Sequence, residues 1–188
     1  MTVDFEVIEP HFQQLREFIL NDLQLLVSQE KGGNYITACL IACACEALSW
    51  LRYGKPYKGE DFFAKMMLPA NWQPVGKSLY GALRDGIVHG YDTMFIVVGS
   101  RRVEIVVSWR LYPHLSFGKA GAYLYLNVQT MADDLRAALE KYELELKANP
   151  KLRGLYFETM KKMKCKWEKQ PGPKELGVWN ELLPSPAS

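Results

Sequence analysis

The segment Leu79-Tyr80-Gly81-Ala82-Leu83-Arg84-Asp85-Gly86-Ile87-Val88-His89-Gly90-Tyr91 gathers a guanidinium, a carboxylate and an imidazole into a few residues. If the segment is helical, Asp85 and His89 are four apart and lie one turn above each other. A carboxylate so placed can hold an imidazole in one tautomer and raise its pKa. Arg84 projects about 140° away from His89 by helical rotation, yet its long side chain can bend toward the C-terminal end. Gly86 and Gly90 remove bulk beside the histidine, so another backbone or a ligand can approach closely. The chemistry open to this trio is proton transfer by an oriented imidazole next to a permanent cation. The same spacing has a structural reading, because a histidine in a last helical turn is favoured by the helix dipole alone.

A helix must carry the trio. Residues 76–89 supply one, with Leu79, Leu83 and Ile87 as its apolar stripe and Gly90 as its stop. Upstream, residues 11–30 place Phe12, Leu15, Ile19, Leu23 and Leu26 at helical spacing, and Lys31-Gly32-Gly33 ends that helix. Asn34 stands where it would cap a second helix over 35–53. That helix is apolar on nearly every side, so other elements must surround it. A short third helix spans 60–68 and is closed by Pro69.

The period changes from helical to alternating at Thr93. Residues 93–98, 103–110 and 122–128 read as strands, Gly99 to Arg102 as a hairpin turn, and a further short strand falls near 114–117. The expectation is a small antiparallel meander. Thr130 and Asp133 have the spacing of a capping box. The helix after them carries Met131, Leu135, Leu139, Tyr142 and Leu146 on one face, ends at Asn149-Pro150, and is succeeded by another helix over 151–167. Residues 170–188, with Pro171, Gly172, Pro173, Pro184 and Pro186, read as a loosely ordered tail. The predicted class is α+β: a helical bundle over 1–92, then antiparallel strands and one or two C-terminal helices packed on it over 93–169, then the tail.

The run Leu83-Arg84-Asp85-Gly86-Ile87-Val88-His89 resembles the Arg-polar-x-x-x-His signature of HEPN (higher eukaryotes and prokaryotes nucleotide-binding) domains. Its surroundings agree. An amphipathic first helix precedes an apolar second one containing Ala44-Cys45-Glu46-Ala47-Leu48, an aromatic-rich connection comes next, and Leu79-Tyr80 and Gly90-Tyr91 flank the motif. The resemblance covers residues 10–92 and does not reach the strands or the last helices. It implies a four-helix bundle over the first part of the chain. Many HEPN proteins are metal-independent ribonucleases, often toxins or defence effectors, and act as dimers whose two motifs face each other across a cleft. The resemblance therefore implies a homodimer, an RNA or nucleotide ligand, a cognate antitoxin as partner, and no cofactor. Arg84 would bind the scissile phosphate, His89 would act in proton transfer, and Asp85 would orient them. Other HEPN proteins are non-catalytic binding or assembly modules, and the motif fits both kinds. The chemistry is coherent, because RNA carries its own nucleophile in the 2′-OH. An imidazole suits the removal of that proton, and a guanidinium suits bidentate contact with phosphate oxygens.

Several other residues bear on the site. Glu46 is the single acid on the apolar second helix, and an unpaired buried carboxylate is costly. It reads either as a partner of Arg84 or His89 across the bundle or as a polar residue at its rim; Glu46 and Tyr91 are the candidate supporting residues. Lys161, Lys162 and Lys164, with Trp167, could touch RNA phosphates and stack a base, although a solvated helix face gives the same pattern. His11 and His114 lack a recognisable partner in the sequence and read as surface or strand-end residues. Cys39, Cys43, Cys45 and Cys165 read as small reduced core residues rather than metal ligands, and no metal centre is expected.

Composition sets the outer limits. With 48% hydrophobic and 23% charged residues, the chain can bury a core and does not have the make-up of a disordered protein. A net charge of +2 neither demands a nucleic-acid partner nor excludes one. The N-terminus has no basic segment leading into an apolar one, and the apolar stretch from Tyr35 to Leu51 is interrupted by Glu46 and Ser49, so a cytoplasmic protein without a membrane partner is expected.

Overall fold

Apolar residues recurring every three or four positions wind the chain into α1 (Phe5–Val27) and α2 (Asn34–Tyr53). The computed structural model describes residues 3–28, 33–90, 95–109 and 112–167, with the backbone alone at 88–90 and 165–167. The expected tail at 170–188 lies outside these residues. Helix α1 begins earlier than the sequence suggests. Pro10 sits inside the helix, where its missing N–H deprives one carbonyl of a partner. Asn34 is not the cap of α2. The cap residue is Gly33, in a left-handed conformation at φ 80°, and the Thr37 hydroxyl donates to its carbonyl at 2.8 Å. At the other end Gly54 adopts φ 69°, which an L side chain rarely tolerates, and donates its N–H to the Trp50 carbonyl.

The third helix falls where expected, but only its first turn is α-helical. It consists of α3 (Gly59–Phe62) running into a π-helical turn over Phe63–Met67, around which Phe62, Phe63 and Met67 are buried. A 3₁₀ turn at Gln73–Val75 then leads into α4 (Gly76–Gly90), the helix predicted for the motif.

The second half holds β1 (Phe95–Val98), β2 (Arg101–Ser108), β3 (Ser116–Gly118) and β4 (Tyr123–Asn127). Strands β1 and β2 form the expected hairpin, Val98 opposite Arg101, with Gly99 at φ 61° in the two-residue turn. The hairpin does not extend into an antiparallel meander. The sheet is mixed, in the order β1-β2-β4-β3, with β2 and β4 parallel. After β2 the chain passes the neighbouring position, forms β3 farther out, and returns as β4 in the slot between them. Alternation marks which residues face inward, here Ile105 and Val107 with Leu124 and Leu126, but carries no information on strand direction.

β4 passes directly into α5 (Val128–Ala148), and α6 (Pro150–Trp167) comes last. The cap is Asn127, whose side chain accepts from the N–H groups of Gln129 and Thr130, at 3.0 and 3.1 Å. The Thr130/Asp133 capping box is therefore not used: those residues already lie inside the helix.

Among the described residues the molecule is α+β, with six α-helices and a four-stranded sheet. Its core is one hydrophobic cluster. Ile41, Cys45, Leu48 and Leu51 of α2 are fully buried at its centre, because α2 packs against α1, α4, α5 and α6 together. Phe12, Phe62, Tyr142 and Tyr156 join the cluster through edge-to-face and tilted ring contacts. α2 is long and apolar enough to span a bilayer by composition, and half of that apolar window is buried inside the protein.

Candidate functional site

Helices α2 and α4 lie side by side and place Glu46, Tyr80 and Arg84 on one cleft of about 360 Å³. Leu79 and Leu83 anchor α4 in the core, which turns Arg84 toward the rim. Glu46 resolves the cost of an acid on an apolar helix by accepting two hydrogen bonds. The Gly59 N–H donates to Oε2 at 3.3 Å and the Tyr80 hydroxyl reaches Oε1 at 3.1 Å. That hydroxyl has a single proton and two acceptors, since the Ala42 carbonyl lies 3.0 Å away. Burial, with Cys45 and Glu46 nearby, pushes the Tyr80 phenol well up, so it stays a donor. Gly59 is required here, because a Cβ at that position would overlap the Tyr80 hydroxyl.

Arg84 Nη1 donates to Asp85 Oδ1 at 2.7 Å. This hydrogen bond is the largest influence raising the arginine's pKa, and the charges of Asp85 and Glu46 act in the same direction. The side chains are 35% and 49% exposed, so the pair sits at the mouth of the cleft, where a ligand can reach it. Glu46 lines the same cleft as Arg84, but its hydrogen bonds go to Gly59 and Tyr80, and Arg84 pairs with Asp85. The cleft also takes in Glu60 and Lys77, so three carboxylates (Glu46, Glu60, Asp85) face two cations (Lys77, Arg84). Chemically the site offers a guanidinium for an oxyanion and a carboxylate that competes with any anion for the arginine, while the buried Tyr80 phenol spends its one proton inside the protein.

His89 falls in the last turn of α4, one turn beyond Asp85; its side chain lies outside the described residues, as does Tyr91. Lys161, Lys162 and Lys164 are exposed on α6 and none of them lines the cleft. Lys161 pairs with Glu158 at 3.7 Å and stands over the Phe157 ring. The Trp167 side chain is not among those described. Of the cysteines, Cys45 is buried against the Met67 sulfur. Cys43 is exposed, contrary to the core reading: it stands one turn before Glu46 on α2, near Arg84. Among the described residues no group of three or more His, Cys, Asp or Glu is placed to hold a metal ion.

Two histidines have partners that the sequence does not reveal. His11 Nδ1 lies 2.7 Å from the Tyr156 hydroxyl, and burial together with the Lys164 charge lowers its pKa. His114 is almost enclosed. Its Nδ1 accepts the Asn127 N–H at 3.1 Å, and its Nε2 lies 3.7 Å from Asp134 Oδ2. Burial pushes the imidazole down to about 4, and burial next to Asp133 pushes the Asp134 carboxyl up to about 6. Because Nδ1 accepts, the neutral ring carries its proton on Nε2. Nδ1 is thereby committed, whereas at 3.7 Å Nε2 is near the Asp134 carboxyl without hydrogen-bonding it. Ser108, opposite Asn127 in the parallel pair, has a buried hydroxyl with no partner among the described residues. Asn127 and Asp134 are 13 and 20 positions from His114, and Tyr156 is 145 from His11, too far for a local motif to expose them. No family model matches the chain, and comparison with curated proteins and with solved structures gives no match.

Proposed function

We propose that the chain is a HEPN-like, metal-independent endoribonuclease of the toxin or defence type, acting as a homodimer in the cytoplasm. The observation that carries this reading is Arg84 at the mouth of an open cleft, on the helix whose last turn contains His89. In the proposed reaction Arg84 neutralises the scissile phosphate. His89 takes the proton of the 2′-OH, whose oxygen bonds to the adjacent phosphorus as the bond to the 5′-oxygen of the next nucleotide breaks, and that oxygen leaves as a hydroxyl with a proton from water. Helices α1 to α4 would be the HEPN-like bundle, and two motifs would meet across the dimer cleft. Asp85 holds Arg84 in place until the phosphate arrives.

A second reading is favoured by one feature. The cleft holds more carboxylates than cations, which suits a non-catalytic module for a nucleotide, RNA or protein better than tight capture of a polyanion. Incubation with a mixed tRNA and mRNA pool in EDTA separates the two. The nuclease yields fragments ending in 2′,3′-cyclic phosphate, and these disappear with His89→Ala. A binding module gives no turnover in any variant.

A further inference from the structure

We propose that the outer face of the mixed sheet is a docking platform for single-stranded RNA, built from Tyr112, Tyr123 and Tyr125 with Lys119 and Arg102. The face turned away from the core carries Phe95, Arg102, Glu104, Tyr123 and Tyr125, as the strand register requires. Tyr125 lies against the backbone of β3, where a Cβ on Gly118 would fall 2.5 Å from its Cε2. The missing side chain is what allows a ring to lie down on the sheet there. Tyr112 stacks on that ring with centroids 3.9 Å apart and planes within 13°. This is the geometry a nucleobase adopts on an aromatic side chain, so the protein already holds one aromatic ring in the place of a base. Tyr112 is itself 44% exposed, leaving its own surface for the next ring. Tyr123 is turned within 20° of Tyr125 at 6.4 Å, so successive rings share one orientation.

Charge decides which flat ligand fits. Lys119 Nζ stands 4.6 Å from the Tyr123 ring centroid and hydrogen-bonds its hydroxyl at 3.2 Å. The Arg102 guanidinium covers Phe95 at 3.3 Å. Against these two cations the face carries one acid, Glu104, with Arg101 adding a further positive charge at the hairpin end. Rings that share an orientation, bordered by cations, match a strand with unpaired bases and a phosphate chain. A duplex keeps its bases stacked on each other and cannot use the rings. The inference rests on the RNA reading of the Arg84 cleft for the identity of the strand, but it concerns different residues and stands or falls separately.

The test is fluorescence anisotropy on the full chain carrying Arg84→Ala, which prevents cutting. The probe is a labelled oligouridine of about eight nucleotides, a length within the usual span of such surfaces. An RNA duplex of equal length and inorganic polyphosphate serve as the other arms. The expected result is binding of the single strand over both, weakened about tenfold by Tyr112→Leu and again by Tyr123→Leu. Lys119→Gln should weaken binding and flatten its salt dependence. Tyr112 lies in a loop and is half exposed, so its variant tests the idea even if a β4 variant fails to fold. No binding of oligouridine, equal binding of polyphosphate, or unchanged affinity in Tyr112→Leu overturns the platform. If the single strand binds through the tyrosines but wild-type protein never cleaves RNA, the nuclease reading fails and the platform remains. If RNA is cleaved and the tyrosine variants bind as wild type, the platform alone fails.

Discussion

Arg84 is ion-paired to its own neighbour: Nη1 to Asp85 Oδ1 spans 2.7 Å at the mouth of the cleft. Sequence spacing also places Asp85 one turn from His89, whose side chain lies outside the described residues. A carboxylate in contact with the guanidinium competes with an incoming phosphate for the same donors, so the pair is a latch on the arginine.

That latch has kinetic consequences under the nuclease reading. His89→Ala removes the proton acceptor and lowers the cleavage rate by about 10²-fold or more. Arg84→Lys is also damaging, since a point charge cannot replace the planar fork. Asp85→Asn is milder in kcat and lowers KM, because the competing charge is gone. Steady-state cleavage of one defined oligonucleotide checks all three. An Asp85→Asn enzyme as poor as Arg84→Lys would mean that the carboxylate does more than hold the arginine.

Two glycines beside the cleft predict opposite changes in stability. Gly59→Ala drives a methyl group into the Tyr80 hydroxyl and the Glu46 carboxyl, and destabilises by about 1–3 kcal/mol. Gly81→Ala, inside α4 with nothing within 4 Å of its Cβ position, stabilises by about 0.5–1 kcal/mol. Urea unfolding midpoints at equal slope give both values, and the same sign for the two would refute the packing account.

The His114–Asp134 pair predicts a compensated acid response. The folded imidazole titrates near 4 instead of 6.5, so the unfolded chain binds its proton first. The histidine's contribution is thus complete above pH 6.5 and declines as pH falls toward 4, by about 3 kcal/mol in all. Asp134 works the other way. Its folded pKa of about 6 is above the usual 3.8, so its contribution is present at low pH and is lost as pH rises through 6. Between pH 4 and 6 the two slopes oppose each other. Asp134→Asn removes one, and its melting temperature should rise more steeply with pH over that window than the wild type's. Parallel profiles would show that the two groups do not titrate as described.

Asn127→Ala should cost about 1–2 kcal/mol, toward the upper end for a helix cap. The side chain is 8% exposed, accepts two N–H groups of α5, and donates to the Tyr112 carbonyl at 3.3 Å. Asn127→Asp keeps the acceptor but loses the donor to Tyr112, so it should recover only part of the loss in a thermal melt.

A homodimer should scatter light with twice the 21.5 kDa chain mass at micromolar concentration. A monomer there removes the basis for a cleft shared between two motifs.

The sequence made the helices legible because their apolar stripes are long: Leu79, Leu83 and Ile87 announce α4, and Met131, Leu135 and Tyr142 announce α5. The strands' inward faces were legible by the same logic. Their direction was not, because Ile105 and Leu124 would alternate identically in a parallel or an antiparallel pair. Helix starts misled where a favourable residue stood beside the true one, as with Thr130 three places after Asn127 and Asn34 one place after Gly33. The Glu46 carboxylate was recognisable as needing a partner, although Gly59 and Tyr80 could not be named until α2, α3 and α4 were placed together. His114 carried no local signal, since Asn127 and Asp134 reach it only through the fold.

The slot that β4 fills also orders events in time. During synthesis β1 and β2 emerge as a closed hairpin, while the far edge of β2 keeps its N–H and C=O groups unpaired until residue 123 arrives. The strand that finally seals that edge is the one that ends in Asn127, so closing the sheet and starting the C-terminal helix pair are a single late step. A nascent chain halted before it presents a sticky ribbon rather than a smaller stable protein, and a fragment ending at Gly121 should sediment as aggregate where the whole chain stays dispersed.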